Sequence, residues 1–252
     1  MRRGFTGSRV SGTAARDPAD ARDPGDARRP VQERVAKTLR RGITTGYLVG
    51  GTRLVQPKIA EALGVSTAPV REALRQLAAE GLVHFDGHGA AVHELSRSEL
   101  VEVYELRKLL EPIAVVRAAK EASQDSLVEA AELVAAMQDI ANPSAWAETN
   151  VRFHSVIERA SGSPRLVAIL RQLHALSSLY VTHSLLSAPE RLLRGNAEHQ
   201  EILEAVIQGD ADAAVDAVLR HLDGTLRVLL QVRDLDASVQ SCHTGRWWGP
   251  DR

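Results

Sequence analysis

Cysteine is almost missing from this chain: one thiol, Cys242, occurs in 252 residues. An intrachain disulfide is therefore excluded, and the composition fits a reducing compartment. Cys242 stands in a polar tail and reads as an incidental free thiol. Aromatic residues are scarce at 4%, while Ala, Leu and Val abound, which leans toward helices. No apolar run approaches the ~20 residues needed to span a bilayer. The positively charged start is not followed by the apolar stretch of a secretory signal. A soluble, cytoplasmic protein with no membrane partner is expected. A strong charge of one sign is missing too, with a formal net charge of −1. That does not exclude a nucleic-acid partner, because an acidic half can mask a basic one. Between Val31 and Ser96, eight Lys and Arg residues oppose six acids, a weakly positive balance.

Residues 1–30 hold almost no large apolar side chain and contain the near-repeat Ala15-Arg16-Asp17-Pro18 and Ala21-Arg22-Asp23-Pro24. Such a segment cannot bury enough surface to order itself, so a disordered N-terminal arm is expected. The polar tail 236–252, with Trp247-Trp248, is expected to be flexible. Between the tails helical periodicity dominates. Val31, Val35, Leu39 and Ile43 recur at four-residue spacing along a first helix. Ser96-x-x-Glu99 reads as a capping box opening a long helix that carries Leu100, Val103, Tyr104, Leu106, Leu110 and Ile113. Further helices are expected near 124–138, 144–161, 164–187, 189–208 and 210–234. Six helices without a strand signal predict an antiparallel bundle.

Residues 31–95 have a different texture. Pro57 suits the first turn of a short helix, where its missing N–H costs nothing. Ile59, Ala60 and Leu63 form that helix's apolar face, Gly64 supplies a turn, and Ser66 is expected to cap the next helix. Val70, Ala73, Leu74 and Leu77 then face a core. Thr67, Ala68, Arg71 and Arg75 are left on the outer N-terminal side, where a recognition helix meets base edges. Leu82 to Phe85 and Ala90 to His93 flank the turn Asp86-Gly87-His88-Gly89, a hairpin of the kind called a wing. A packed helical corner could share the helix pair. The ordered set of helix, glycine turn, capped helix and hairpin favours DNA binding.

Pro69-Val70-Arg71-Glu72-Ala73-Leu74, Leu77-x-x-Glu80-Gly81-Leu82-Val83 and the Gly-rich wing resemble the GntR family of bacterial repressors over about Val31–Glu94. The resemblance implies that Arg71 contacts operator DNA and that Gly89, at the wing tip, approaches the minor groove. Two departures stand out. Ser66-Thr67-Ala68 replaces the family's usual Ser-Arg-Thr, removing an Arg suited to bidentate guanine recognition. Gln56-Pro57-Lys58 replaces Glu-Arg-Glu, so a second basic contact is lost or moves to Lys58. The expected DNA-contacting set is Lys58, Ser66, Thr67, Ala68, Arg71, Arg75, His88 and Gly89.

In the bundle, Asn150 and His154 share a helix face at i and i+4, while His199 and His221 lie on two later helices. Three imidazoles and one oxygen donor converging in a bundle core would make a divalent-metal site, although each histidine alone has commoner surface or core roles. Tyr104-Glu105-Leu106-Arg107 with Leu110-Glu111-Pro112, Phe153-His154, Glu198-His199 with Ile202-Leu203, Gly209-Asp210 and Arg220-His221-Leu222 resemble the FCD domain of FadR-type GntR members, in its VanR-like six-helix form. That resemblance implies a metal held by Asn150, His154, His199 and His221: zinc first, with manganese or nickel as alternatives. Asn150 stands where the family usually has Asp, a weaker, neutral donor. Arg107 resembles an arginine that faces the effector cavity, and its fork suits a carboxylate. Equally, it could pair with Glu111 at i+4. His174 and His183 lie on another long helix and could line the cavity, although a core or surface role is the expectation for both.

The expected architecture is mainly α: an arm over 1–30, a winged helix-turn-helix over 31–95, an all-α bundle over 96–235, and a tail over 236–252. The expected function is a transcription regulator and not an enzyme. A homodimer would read an inverted repeat, repress, and respond to a small organic acid or sugar acid bound beside the metal. Two rivals remain: a metal-dependent hydrolase, which lacks a general base beside its histidines, and a DNA-binding module whose bundle only dimerises.

Overall fold

The computed structural model describes residues 30–187 and 190–236. The expected N-terminal arm, Cys242, Trp247-Trp248 and the C-terminal tail lie outside the described residues, as does the side chain of His183. Nine helices and one two-stranded sheet are found among the described residues.

The first layer is built on α1 (Val31–Thr44), α2 (Gln56–Leu63) and α3 (Thr67–Ala79), followed by β1 (Val83–Asp86) and β2 (Gly89–Val92). The four-residue apolar period of α1 buries Val35, Leu39 and Ile43, while Val31 stays partly exposed. These side chains pack with Leu48, Leu54, Ile59, Val70, Leu74 and Leu77 into one core. Gly64 closes α2 in the left-handed conformation, φ 63°, a geometry that favours glycine. Ser66 does occupy the N-cap position of α3 with extended dihedrals, but its side chain accepts no hydrogen bond from the helix. The expected side-chain cap is therefore corrected: Ser66 contributes backbone geometry and an exposed hydroxyl.

The wing is tighter than the expected four-residue turn. β1 and β2 pair antiparallel from Val83 opposite Val92 to Asp86 opposite Gly89, leaving a two-residue loop, Gly87-His88. Gly89, the strand residue just after that loop, takes φ 113°, a conformation that favours glycine. Asp86 holds the turn. Its Oδ1 accepts from the His88 backbone N–H at 2.8 Å and from Arg53 Nη1 at 2.7 Å. The Arg53 hydrogen bond, then the His88 N–H, lower the Asp86 pKa to about 2.

The second layer contains six helices: α4 (Arg97–Glu121), α5 (Gln124–Asp139), α6 (Pro143–Ala160), α7 (Pro164–Ser187), α8 (Glu190–Gln208) and α9 (Ala211–Asp236). The Ser96–Glu99 capping box opens α4: Glu99 N–H donates to Ser96 Oγ at 3.2 Å, and Ser96 N–H donates to Glu99 Oε2 at 2.7 Å. Asn142 caps α6 by accepting from the Ala145 N–H, with Pro143 in the first turn. The core of this layer gathers Leu100, Tyr104, Met137, Phe153, Leu170, Leu203 and Leu222. Of the apolar residues that α4 carries, Leu106 and Ile113 are exposed.

Helix α7 belongs to both cores. Its Ala175, Leu176 and Tyr180 pack against the first layer. The Leu95 N–H donates to Tyr180 Oη at 2.6 Å, Thr182 Oγ1 donates to the Thr44 carbonyl at 3.3 Å, and Ser144 Oγ donates to the Thr45 carbonyl at 3.2 Å.

Candidate functional site

In the first layer, the eight residues expected to meet DNA are all exposed. Lys58 projects from α2, Ser66, Thr67, Ala68, Arg71 and Arg75 run along the start of α3, and His88 and Gly89 sit at the wing tip. The two arginines are not idle. Arg75 Nη1 lies 2.9 Å from Glu72 Oε1, and Arg71 Nε lies 3.5 Å from the same oxygen. One carboxylate thus holds both side chains, and its charge opposes any phosphate approaching them.

In the bundle, α6 presents Asn150 and His154, α8 presents His199, and α9 presents His221. The His154 and His199 rings stand 5.1 Å apart, His154 and His221 5.2 Å, and His199 and His221 4.8 Å, centroid to centroid. One ring nitrogen from each of the three lies within 4.8 Å of the others, and all three residues are buried. Burial first, then the positive charges that His174, His199, His221 and Arg107 can carry, push the His154 pKa well below its ordinary value. His154 is therefore neutral and able to donate a lone pair. His221 Nδ1 lies 2.8 Å from Glu198 Oε2. A carboxylate there accepts a hydrogen bond from Nδ1–H and leaves Nε2 as the coordinating atom, the arrangement that commonly backs a metal-bound imidazole. The Asn150 side-chain oxygen is buried with no hydrogen-bond partner among the described residues. A buried acceptor left in that state calls for a cation or a donor. Asn150, His154 and His221 all line a cavity of about 470 Å³, a figure that includes its open mouth. The three imidazoles could hold a metal ion, and the orphaned Asn150 oxygen lines the same cavity as His154 and His221.

A second cluster adjoins the first. Arg107 Nε donates to Glu111 Oε1 at 2.6 Å, and Arg107 Nη1 donates to Ser177 Oγ at 3.1 Å. His174 Nε2 stands 2.7 Å from Glu158 Oε1 and 3.2 Å from Glu111 Oε1. Burial opposes the Glu111 carboxylate, yet Arg107 and His174 outweigh it and hold the pKa at about 2. His174 is likewise opposed by burial and by Arg107, but Glu158 and Glu111 raise its pKa. Two buried carboxylates therefore face a guanidinium and an imidazole that favours its charged form. Glu111, His154 and His174 could converge on an ion, but cations of the protein's own already fill that role.

Of the two alternatives for Arg107, the Glu111 pair is formed. The same side chain lines the cavity with Tyr104, Ser177 and Thr225. The i, i+4 spacing exposed the Glu111 pair in the sequence. His174, weighed as a cavity-lining residue, does line the cavity, whereas Glu158 and Glu198 were not foreseen as site residues. Glu158 does continue the Asn150–His154 face of α6 by one more turn, a signal that was available.

Two family models match the chain: "Bacterial regulatory proteins, gntR family" over residues 31–92 and "FCD domain" over residues 102–224. Among curated relatives, the "Probable D-xylose utilization operon transcriptional repressor" of Paenarthrobacter nicotinovorans is 30% identical, over 88% of this chain and 99% of its own length. The "Gluconate operon transcriptional repressor" of Bacillus licheniformis is 29% identical, over 84% of this chain and 89% of its own. Among solved structures, E. coli McbR/YncC superposes with a TM-score of 0.75 at 25% identity, covering 81% of this chain and 99% of that one. With a GntR reader ahead of an FCD bundle, the chain belongs to the FadR subfamily of the GntR family of DNA-binding transcription regulators.

Proposed function

We propose that this regulator is a repressor whose operator affinity is set by a small sugar acid or related carboxylate bound in the bundle cavity, beside a divalent ion held by Asn150, His154, His199 and His221. The observation that carries this reading is the cavity wall, which includes Asn150, His154 and His221 together with Arg107. Zinc suits three imidazoles, while the neutral Asn150 oxygen leaves manganese and nickel as alternatives. The ion would supply a Lewis-acidic position for one carboxylate oxygen. Arg107 offers its planar fork to the acid, and Tyr104, Ser177 and Thr225 add polar edges for hydroxyl groups. The names of two relatives support both repression and sugar-derived chemistry.

Lys58, Ser66, Thr67, Ala68, Arg71, Arg75, His88 and Gly89 would carry DNA contact, with α3 in the major groove and the wing along its edge. A homodimer would place two such surfaces on an inverted repeat. Helix α7 supplies the connection. Its His174, Ser177, Ser178 and Ser184 line the cavity, while Leu176, Tyr180 and Thr182 grip the reader. A ligand that draws α7 toward the ion shifts the reader's footing with it.

The test is a binding-site selection from genomic DNA with purified protein, followed by titration of the recovered operator complex. Gluconate-like acids should release the operator from metal-loaded protein, whereas the matching neutral sugars should not. Protein that purifies without bound metal, and whose operator complex ignores every acid tried, would overturn the sensor reading. Failure to recover any specific site would overturn the operator reading.

A further inference from the structure

Trp146 stands one turn before Asn150 and two turns before His154 on a single face of α6, and it lines the cavity with both. It is 3% exposed. A buried indole fills space as any large apolar side chain does, but it also brings an N–H that needs a partner. Here that partner is built. Trp146 Nε1 donates to Asn196 Oδ1 at 2.8 Å, and Asn196 Nδ2 donates to the Met137 carbonyl at 3.1 Å. Both ends of the amide are used, so hydrogen bonds run unbroken from the last turn of α5 through α8 to α6.

The indole also lies hard against α8. A Cβ at Gly195 would stand 3.1 Å from two ring carbons of Trp146. Glycine inside a helix weakens it, so this close approach is kept at the expense of the helix. His199 follows Gly195 by one turn of α8. Its imidazole and the indole form a tilted stack, with planes 31° apart and centroids 5.6 Å apart. Phe153 meets the same imidazole at 4.9 Å. Glu198 orients His221 through a hydrogen bond; aromatic faces bear on His199 instead. We infer that Trp146 is a positioning residue for the divalent ion. Tied by Asn196 and seated against Gly195, it sets the His199 ring at the angle that lets three imidazoles converge. The inference rests on the metal reading above and names the residues that hold that site ready.

Zinc affinity of the full chain, stripped of metal and titrated against a chromophoric chelator, tests it, with the Tm of the metal-free protein recorded alongside. Trp146→Leu should weaken zinc about 10–100-fold, the usual consequence of removing a group that orients a ligand. Trp146→Phe keeps an aromatic face and should fall between Trp146→Leu and the wild type. Gly195→Ala removes no polar group and favours the helix, yet it presses on the indole, so it should weaken zinc about tenfold. Leu100→Ala, at a buried position outside the cavity wall, should lower the Tm and leave zinc affinity unchanged. With Trp247→Phe and Trp248→Phe in place, Trp146 is the sole tryptophan, and its emission should change with zinc and saturate at one equivalent per chain. A wild type that binds no zinc overturns the metal reading and this inference together. A wild type that binds zinc, with a folded Trp146→Leu that binds as tightly, overturns the role of Trp146 alone. An indole emission blind to zinc, or Leu100→Ala weakening zinc as far as Trp146→Leu, does the same. Should Trp146→Leu not fold, wild-type affinity in both Trp146→Phe and Gly195→Ala overturns it.

Discussion

Replacing Arg107 with Met keeps the length of the side chain and removes its charge from a site where both members of the ion pair are almost inaccessible, 3% exposed for Arg107 and 2% for Glu111. The carboxylate left behind loses the Nε donor at 2.6 Å, and Ser177 loses its Nη1 donor. Breaking a buried pair by deleting one partner costs about 3–5 kcal/mol, most of it the penalty of the stranded charge. Here His174 still stands 3.2 Å from the same Glu111 oxygen. It can carry part of the compensating charge, so the lower end, about 3 kcal/mol, is expected. For a bundle of this size that corresponds to a fall in Tm of roughly 6–12 °C. The double variant Arg107→Met, Glu111→Leu removes both charges and should recover most of the loss, because an apolar pair of similar volume is well tolerated in such a position. Scanning calorimetry at pH 7 with the metal content held fixed measures both. A single variant losing under 1 kcal/mol, or a double variant as unstable as the single, would refute the account of a buried Arg107–Glu111 ion pair.

Other consequences are as direct. His154→Ala should abolish stoichiometric metal, and its Tm should stop responding to EDTA; the wild type should lose about 4 kcal/mol on chelation if metal had been present at a thousandfold excess over its Kd. On the reader, Glu72→Gln releases Arg71 and Arg75 from the carboxylate they share. Non-specific DNA affinity should rise about 2–5-fold in low salt, the worth of an exposed ion pair, whereas Arg71→Ala should weaken specific binding by about 1–3 kcal/mol if it reads a guanine; fluorescence anisotropy with specific and scrambled duplexes separates the two effects. The Glu99 pKa is lowered, first by the Ser96 side chain and then by its backbone N–H. A depressed carboxylate stabilises the fold above its unfolded value of 4.5 and loses that contribution as pH falls through the lower folded value. The Tm advantage of wild type over Glu99→Gln should therefore be largest near neutrality and shrink below pH 4.5; an advantage that grows on acidification would contradict the capping-box assignment.

Local chemistry made much of this legible. Pro57, Gly64, Ser96 and Pro143 mark helix ends through backbone constraints that act within a turn, so the helices fell where periodicity placed them. The gathering of His154, His199 and His221 rested on resemblance, because no local rule says which faces of three separate helices will meet. Ser66 shows the limit of a capping rule: residue type and dihedrals suit the position, but the hydroxyl points elsewhere. The wing turn shrank to two residues because pairing of Asp86 with Gly89 extends the ladder, a gain that composition alone does not register. Glu158 was missed for a related reason. A lone glutamate on a helix has an exposed role far more often than a buried one, and only tertiary packing supplies the partners that make burial tolerable. The exposure of Leu106 and Ile113 was not legible either, since α4 carries apolar residues around most of its circumference.

Helix α7 has a bearing on attempts to engineer sensors from this scaffold. The loop between β2 and α4 is an inviting place to cut and join, since only residues 93–96 separate the two layers along the chain. The packing does not break there. A Cβ on Gly81 would meet Leu176 at 3.3 Å, and one on Gly46 would meet Thr182 at 3.1 Å, so reader and α7 fit without slack. A graft that supplies a foreign bundle leaves the reader's core without Ala175, Leu176 and Tyr180, and strands the Leu95 N–H that Tyr180 accepts. Functional chimeras should therefore follow a cut that is discontinuous in sequence, carrying this face of α7 with the reader and exchanging only the cavity-lining positions on its other side.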